Sequence, residues 1–144
     1  MHQQAGRCLL AAVALGTLAS VGVPTPSLAW TTRFGHVAAP DQVLRPDCHR
    51  YRYHYVVKPR SGDWTLETWL YDPRGRPRGS GDFAAGADPR RGPATFGVCR
   101  STVVRGRFTI RARLRWYTPG PLPISPTVRH TRWLRPAHFR LTRP

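Results

Sequence analysis

The chain has 144 residues, of which 23 are Lys or Arg and 7 are Asp or Glu, for a formal net charge of +16; 15 Pro and 13 Gly are spread through it. That length builds one core and leaves little room for a second, and Pro and Gly so evenly distributed exclude long helices and coiled coils. With 40% hydrophobic residues the chain has enough apolar material to fold, and its charge attracts polyanions: nucleic acid, anionic lipid or acidic wall polymers.

The first 29 residues read as a secretory signal peptide. Arg7 supplies a positive n-region, Cys8 to Val23 is an unbroken apolar and small-residue run, and Ser27-Leu28-Ala29 is a small-x-small cleavage site. The run is shorter than the roughly 20 residues needed to span a bilayer, and Pro24 and Pro26 follow it directly, so cleavage before Trp30 is expected rather than a retained anchor. Cys8 precedes the apolar run, which is the wrong place for a lipid attachment site. No later segment is apolar enough to cross a membrane. Removing 29 of 144 residues takes away Arg7 and Cys8, leaving 21 Arg and Lys58 on one domain-sized chain.

Residues 30–47 read as an extended lead-in, with one edge strand around Arg33 to Ala38, and residues 48–144 as the domain proper. Cys48 and Cys99 remain as an even pair, which in an exported chain predicts one disulfide closing a 51-residue loop. Two buried free thiols are the alternative, and the wide spacing does not suit zinc. Tyr51 to Val57 alternates aromatic and polar residues as a strand with one dry face does, and Pro59 to Asp63 turns the chain. Trp64 to Tyr71 is the next strand, with Trp64, Leu66 and Leu70 on one face and Glu67, Trp69 and Tyr71 on the other. Asp72-Pro73-Arg74-Gly75 has the composition of a tight turn.

Arg76 to Gly92 is expected to be mostly loop around a short Asp82-Phe83-Ala84 segment, and Thr95 to Arg100 a short strand carrying Cys99. The clearest segment is Phe108 to Trp116. Phe108, Ile110, Ala112, Leu114 and Trp116 share one face and Arg111, Arg113 and Arg115 the other; a one-residue slip would bury three guanidinium groups. Pro119, Pro121, Pro123 and Pro126 forbid regular structure in the linker that follows. Thr127 to Leu134 and His138 to Thr142 complete the chain, with Phe139 and Leu141 facing inward.

Short strands at regular spacing, the Cys48, Trp64, Cys99 series, an Asp-Pro-x-Gly turn after a Trp-rich strand, and Gly106-x-Phe108-Thr109-Ile110-x-Ala112 resemble an immunoglobulin-like β-sandwich. The mature chain as a whole resembles small secreted immunoglobulin-like proteins of unassigned function from high-GC actinobacteria. The resemblance implies an all-β domain of about seven strands. Position 97 is Gly97 where an antibody-type domain has Tyr, so the disulfide need not join the usual pair of strands, and a jelly roll is the alternative topology.

No residue pattern points to catalysis. His36, His49, His54, His130 and His138 form no His-x-His or helical His-x-x-x-His pair; His49 with Asp47, or His54 with His130 across paired strands, are the two arrangements that would build a surface metal site. Asp63, Asp72, Asp82 and Asp88 suit turns. A Gly-x-Ser-x-Gly elbow and a phosphate-binding Gly loop are both missing, so no enzyme activity, metal or cofactor is expected. The shaped surface is the row Arg111, Arg113, Arg115, with same-face residues about 7 Å apart, near the spacing of charges in an extended polyanion. Tyr117 continues this row, and Arg50 and Arg52 offer a second. The plainer account is that these Arg are ordinary exposed-strand residues that keep an edge from aggregating. The expectation is a secreted non-catalytic binding or envelope structural module, using its Arg face to hold an anionic envelope polymer or an envelope protein, with no specific nucleic-acid motif. The alternative is a small hydrolase or metal-dependent enzyme with a loop-built site. A pocket gathering His and Asp would favour the alternative, and a flat cationic sheet the module.

Overall fold

In the computed structural model the described residues are 32–144, so the expected signal peptide and the cleavage site lie outside them. These residues form nine strands: β1 (Gly35–Ala38), β2 (Gln42–Val43), β3 (Cys48–Val57), β4 (Trp64–Tyr71), β5 (Pro77–Ala84), β6 (Arg91–Cys99), β7 (Gly106–Thr118), β8 (Val128–Trp133) and β9 (Ala137–Thr142). Two 3-10 turns, Thr32–Phe34 and Arg100–Thr102, are the only helical pieces among them. No helix of the described residues is long and apolar enough to cross a membrane.

The strands make two sheets. One has the order β1-β3-β6; the other runs β2-β9-β7-β4-β5, with β8 pairing the far half of β7 beside β9. All pairs are antiparallel except β2 with β9. The residues read as a lead-in thus supply β1 to one sheet and β2 to the other. Both sheets bury one alternate face, because β3, β4, β7 and β9 present an apolar set at period two. Tyr51, Tyr53, Tyr55 and Val57 from β3 meet Trp64, Leu66, Leu70, Phe108, Ile110, Leu114 and Trp116 from the larger sheet in one core. Tyr53 stacks on Phe96 at 4.4 Å between centroids, and the Tyr55 ring lies tilted against Phe83 at 4.2 Å.

Cys48 and Cys99 are disulfide-bonded and directly opposite each other in the β3–β6 register. The bond therefore ties neighbouring strands of one sheet and does not cross the core.

The main departure from the sequence reading is β5. The stretch expected as loop holds an eight-residue strand, paired with β4 from Thr65↔Ala84 to Tyr71↔Pro77. Its glycines mark close approach rather than a turn: a Cβ on Gly81 would lie 3.0 Å from both the Thr68 and Tyr53 oxygens. The Asp72 turn does form as expected. Asp72 is buried, and its Oδ1 accepts from the N–H groups of Arg74 and Arg76 while Oδ2 accepts from Arg78. Gly75 takes the positive φ of 74° that the turn requires.

Candidate anion-binding site

The register between β4 and β7 fixes the outward face. Trp64↔Trp116, Leu66↔Leu114, Thr68↔Ala112 and Leu70↔Ile110 turn inward, so Thr65↔Arg115, Glu67↔Arg113, Trp69↔Arg111 and Tyr71↔Thr109 turn outward. Arg111, Arg113 and Arg115 accordingly share one face, but their surroundings differ. Arg113 donates through Nε to Glu67 at 2.8 Å and lies over the rings of Trp69 and Trp133, 5.2 and 5.4 Å from their centroids. Arg115 reaches the same Glu67 oxygen at 3.2 Å. The Arg113 hydrogen bond, with the charges of both guanidinium groups, holds the Glu67 carboxyl below its usual range against the opposing effect of burial. Both Arg are half-buried. Arg111 is exposed, lies over the Tyr71 ring at 5.1 Å, and forms no ion pair among the described residues.

Charge on this face is graded along β7. Beside Arg115 stand Glu67, Asp82 and Asp88 around one shallow hollow. Toward the start of β7 the acids give way to a cleft of about 470 Å³ lined by Tyr71, Asp72, Arg107, Thr109, Arg111 and His138 among others. Thr109 and His138 are register partners on β7 and β9, and the Thr109 hydroxyl is hydrogen-bonded to His138 Nδ1 at 3.0 Å. Burial, then the charges of Arg107 and Arg135, push the His138 pKa down, so the cleft keeps a neutral imidazole near neutral pH. Asp72 does not offset Arg107 or Arg111, because its oxygens are taken by Arg78 and two backbone N–H groups. The cleft is thus a cationic recess with a neutral hydrogen-bonding floor.

Sequence reasoning placed Arg111 here and missed Arg107, Thr109 and His138. Arg107 and Thr109 simply extend the odd-numbered alternation of β7 upstream. His138 arrives through the β7–β9 pairing, which no local pattern announces.

The remaining sequence candidates fall elsewhere. Arg50 and Arg52 are exposed on the outer face of the smaller sheet, where the Gln42 side chain bonds both the N–H and the carbonyl of Arg52 at 3.0 Å. His54 and His130 belong to different sheets, so they do not pair across strands; His130 bonds Thr118 instead, at 2.9 Å. Among the described residues no three His, Cys, Asp or Glu gather as a metal site would require. No family model, no curated protein and no solved structure matches the chain.

Proposed function

We propose that this chain is an exported immunoglobulin-like β-sandwich that acts by binding, and that its contact is the Arg107–Arg111–His138 cleft, which takes an anionic group of an envelope polymer. The fold part rests on strand order. With the strands taken as A, B and E in one sheet and G, F, C and C′ in the other, β1-β3-β6 and β9-β7-β4-β5 follow the immunoglobulin arrangement, with β1 and β2 dividing the first strand between the sheets. Strand D is missing from this match, β8 is added, and the disulfide lies within a sheet. The disulfide also suits an oxidising compartment, in keeping with export and with the resemblance to small secreted actinobacterial proteins.

The observation that carries the binding reading is that Arg107 and Arg111 flank the Thr109–His138 pair and neither makes an ion pair among the described residues. Linear polyphosphate is the probe. Arg107→Ser with Arg111→Ser should weaken binding and make its salt dependence shallower by about one unit per lost contact, whereas Arg113→Ser should do less because that group is already paired with Glu67. Binding by the double variant that equals the parent's at every salt concentration would sink the assignment.

A hydrolytic reading draws on the Thr109–His138 pair and on Asp72 in the same cleft. Among the described residues Asp72 is the carboxylate that lines this cleft, and its hydrogen bonds to Arg78 and two backbone N–H groups leave it no role in orienting the imidazole, which favours binding. The two readings part at Thr109→Ala: loss of ester turnover supports hydrolysis, and retained polyphosphate affinity supports the binding cleft.

A further inference from the structure

At the other end of β7, about 35 Å from Arg107 at the rise of an extended strand, two unlike features share a corner. The first is the β7–β8 loop. Leu122 and Ile124 at its tip are 61% and 93% exposed, the two most exposed large apolar side chains of the described residues. Pro119, Pro121, Pro123 and Pro126 stiffen the loop, and Ser125 closes its tip by accepting from the Leu122 N–H and donating its own N–H to the Leu122 carbonyl. Four prolines also remove four backbone donors. A loop poor in N–H groups enters an apolar medium at lower cost than an ordinary one.

The second feature is a cationic cluster on Phe34, whose ring stacks on Trp116 at 5.1 Å, three residues before the loop begins. The guanidinium carbons of Arg33, Arg60 and Arg132 each lie 5.8 Å from the centroid of that one ring. Arg60 and Arg132 form no ion pair among the described residues. The β3–β4 loop carrying Arg60 also holds Lys58 and a single carboxylate, Asp63, and its Asp63 carbonyl accepts from the Tyr117 N–H, so it abuts the β7–β8 loop.

We propose that this corner docks on an anionic lipid bilayer, with Leu122 and Ile124 entering the headgroup–acyl boundary while Arg60 and Arg132 contact lipid phosphates. A bilayer satisfies both features at once: a soluble polyanion would use the arginines and leave the aliphatic tip wet, and a second copy of this chain would bring like charge to the cluster. The surface is separate from the cleft at Arg107, so either assignment can fail alone.

The test is co-sedimentation of the protein, as the cell processes it, with phosphatidylcholine vesicles and with vesicles that also contain phosphatidylglycerol. All variants carry the same N-terminus, and circular dichroism confirms that each is folded. The parent should partition onto the anionic vesicles in preference to the neutral ones. Leu122→Ser with Ile124→Ser should lower that partition by about tenfold or more and leave polyphosphate affinity unchanged. Arg60→Ser with Arg132→Ser should lower it by about tenfold. Arg107→Ser with Arg111→Ser should lose polyphosphate and keep the vesicles. Equal partition onto both vesicle types overturns the proposal. So does a loop variant that sediments with anionic vesicles as the parent does, which would mark a polyanion surface, or one whose only change is loss of a dimer.

Discussion

Thr68 carries a hydroxyl into the core on β4, where it donates to the Gly81 carbonyl at 3.1 Å and accepts from the Tyr53 hydroxyl at 2.9 Å. The chain Tyr53 to Thr68 to Gly81 joins the two sheets and fixes how closely β5 lies on β3. Each member constrains the next: Gly81 must lack a Cβ, Thr68 must keep its oxygen, and Tyr53 must stay protonated to donate. Burial raises the Tyr53 pKa to about 12, outweighing the opposite effect of the Thr68 hydrogen bond. Because the folded value stands above the ordinary value near 10, the unfolded chain ionises first. The stabilisation is complete below about pH 10 and is lost as pH rises toward the folded value. Burial, and after it the charge of Asp88, also raises Tyr55, so absorbance titration at the phenolate band should show late tyrosine ionisation from both, with the share of Tyr53 absent in Tyr53→Phe. Thr68→Val preserves shape but strands the Tyr53 donor, and should cost roughly 1 to 3 kcal/mol in urea unfolding. A cost near zero would mean that Tyr53 finds another acceptor.

Strands were legible where one face was apolar without interruption, and illegible where the core needed small residues. The alternation from Phe108 to Trp116 reads directly as β7, since slipping it by one residue would bury Arg111, Arg113 and Arg115. On β5 the inward residues are Gly79, Gly81 and Phe83, and a Cβ on Gly79 would already stand 3.3 Å from the Phe96 ring. Tight packing thus leaves the same local signature as a turn. The disulfide was legible as a pair, yet its position was not, because only the β3–β6 register puts Cys48 opposite Cys99. Its sequence separation of 51 makes it worth roughly 4 kcal/mol in the chain-entropy picture, whichever strands it joins. It sits at the ends of β3 and β6, outside the buried core cluster. Cys48→Ala with Cys99→Ala should therefore lower the unfolding free energy obtained from urea titration by about 2 to 5 kcal/mol while the folded variant keeps its near-ultraviolet aromatic signal. Loss of that signal in the native baseline would show the bond organising the core as well as restricting the unfolded chain.

Across the whole molecule the positive charge has a pattern that composition conceals. Acids cancel it where Glu67, Asp82 and Asp88 meet Arg115, and among the described residues no ion pair offsets it at Arg107 and Arg111 in the cleft or at Arg60 and Arg132 beside Phe34, at the two ends of β7. The sequence shows the arginines but not this division, because Glu67 meets Arg113 only through the β4–β7 pairing and His138 meets Thr109 only through β7–β9. That second pairing gives the cleft a dependence on pH. In the free protein burial and the charges of Arg107 and Arg135 keep His138 neutral to below its usual range. Burial works to raise the carboxyl of Asp72, the one carboxylate lining the cleft among the described residues, but the Arg76 N–H, then Arg78 and the Arg74 N–H, outweigh it and hold the group below its usual range, so it stays ionised in that window. On the proposed reading, an anion seated between Arg107 and Arg111 would reverse the local field and favour the imidazolium, so its binding would take up a proton. By linkage, affinity must then rise as pH falls through the imidazole range, by about tenfold for each unit by which the anion raises the His138 pKa. Dextran sulfate is the probe for this experiment, since its sulfate esters stay fully ionised and add no titration of their own. Affinity for it should strengthen from neutral pH downward in the parent and stay flat in His138→Gln, which keeps a hydrogen-bonding side chain without the titratable ring. A pH slope that survives in His138→Gln would place the titrating group outside the cleft, and with it the binding site.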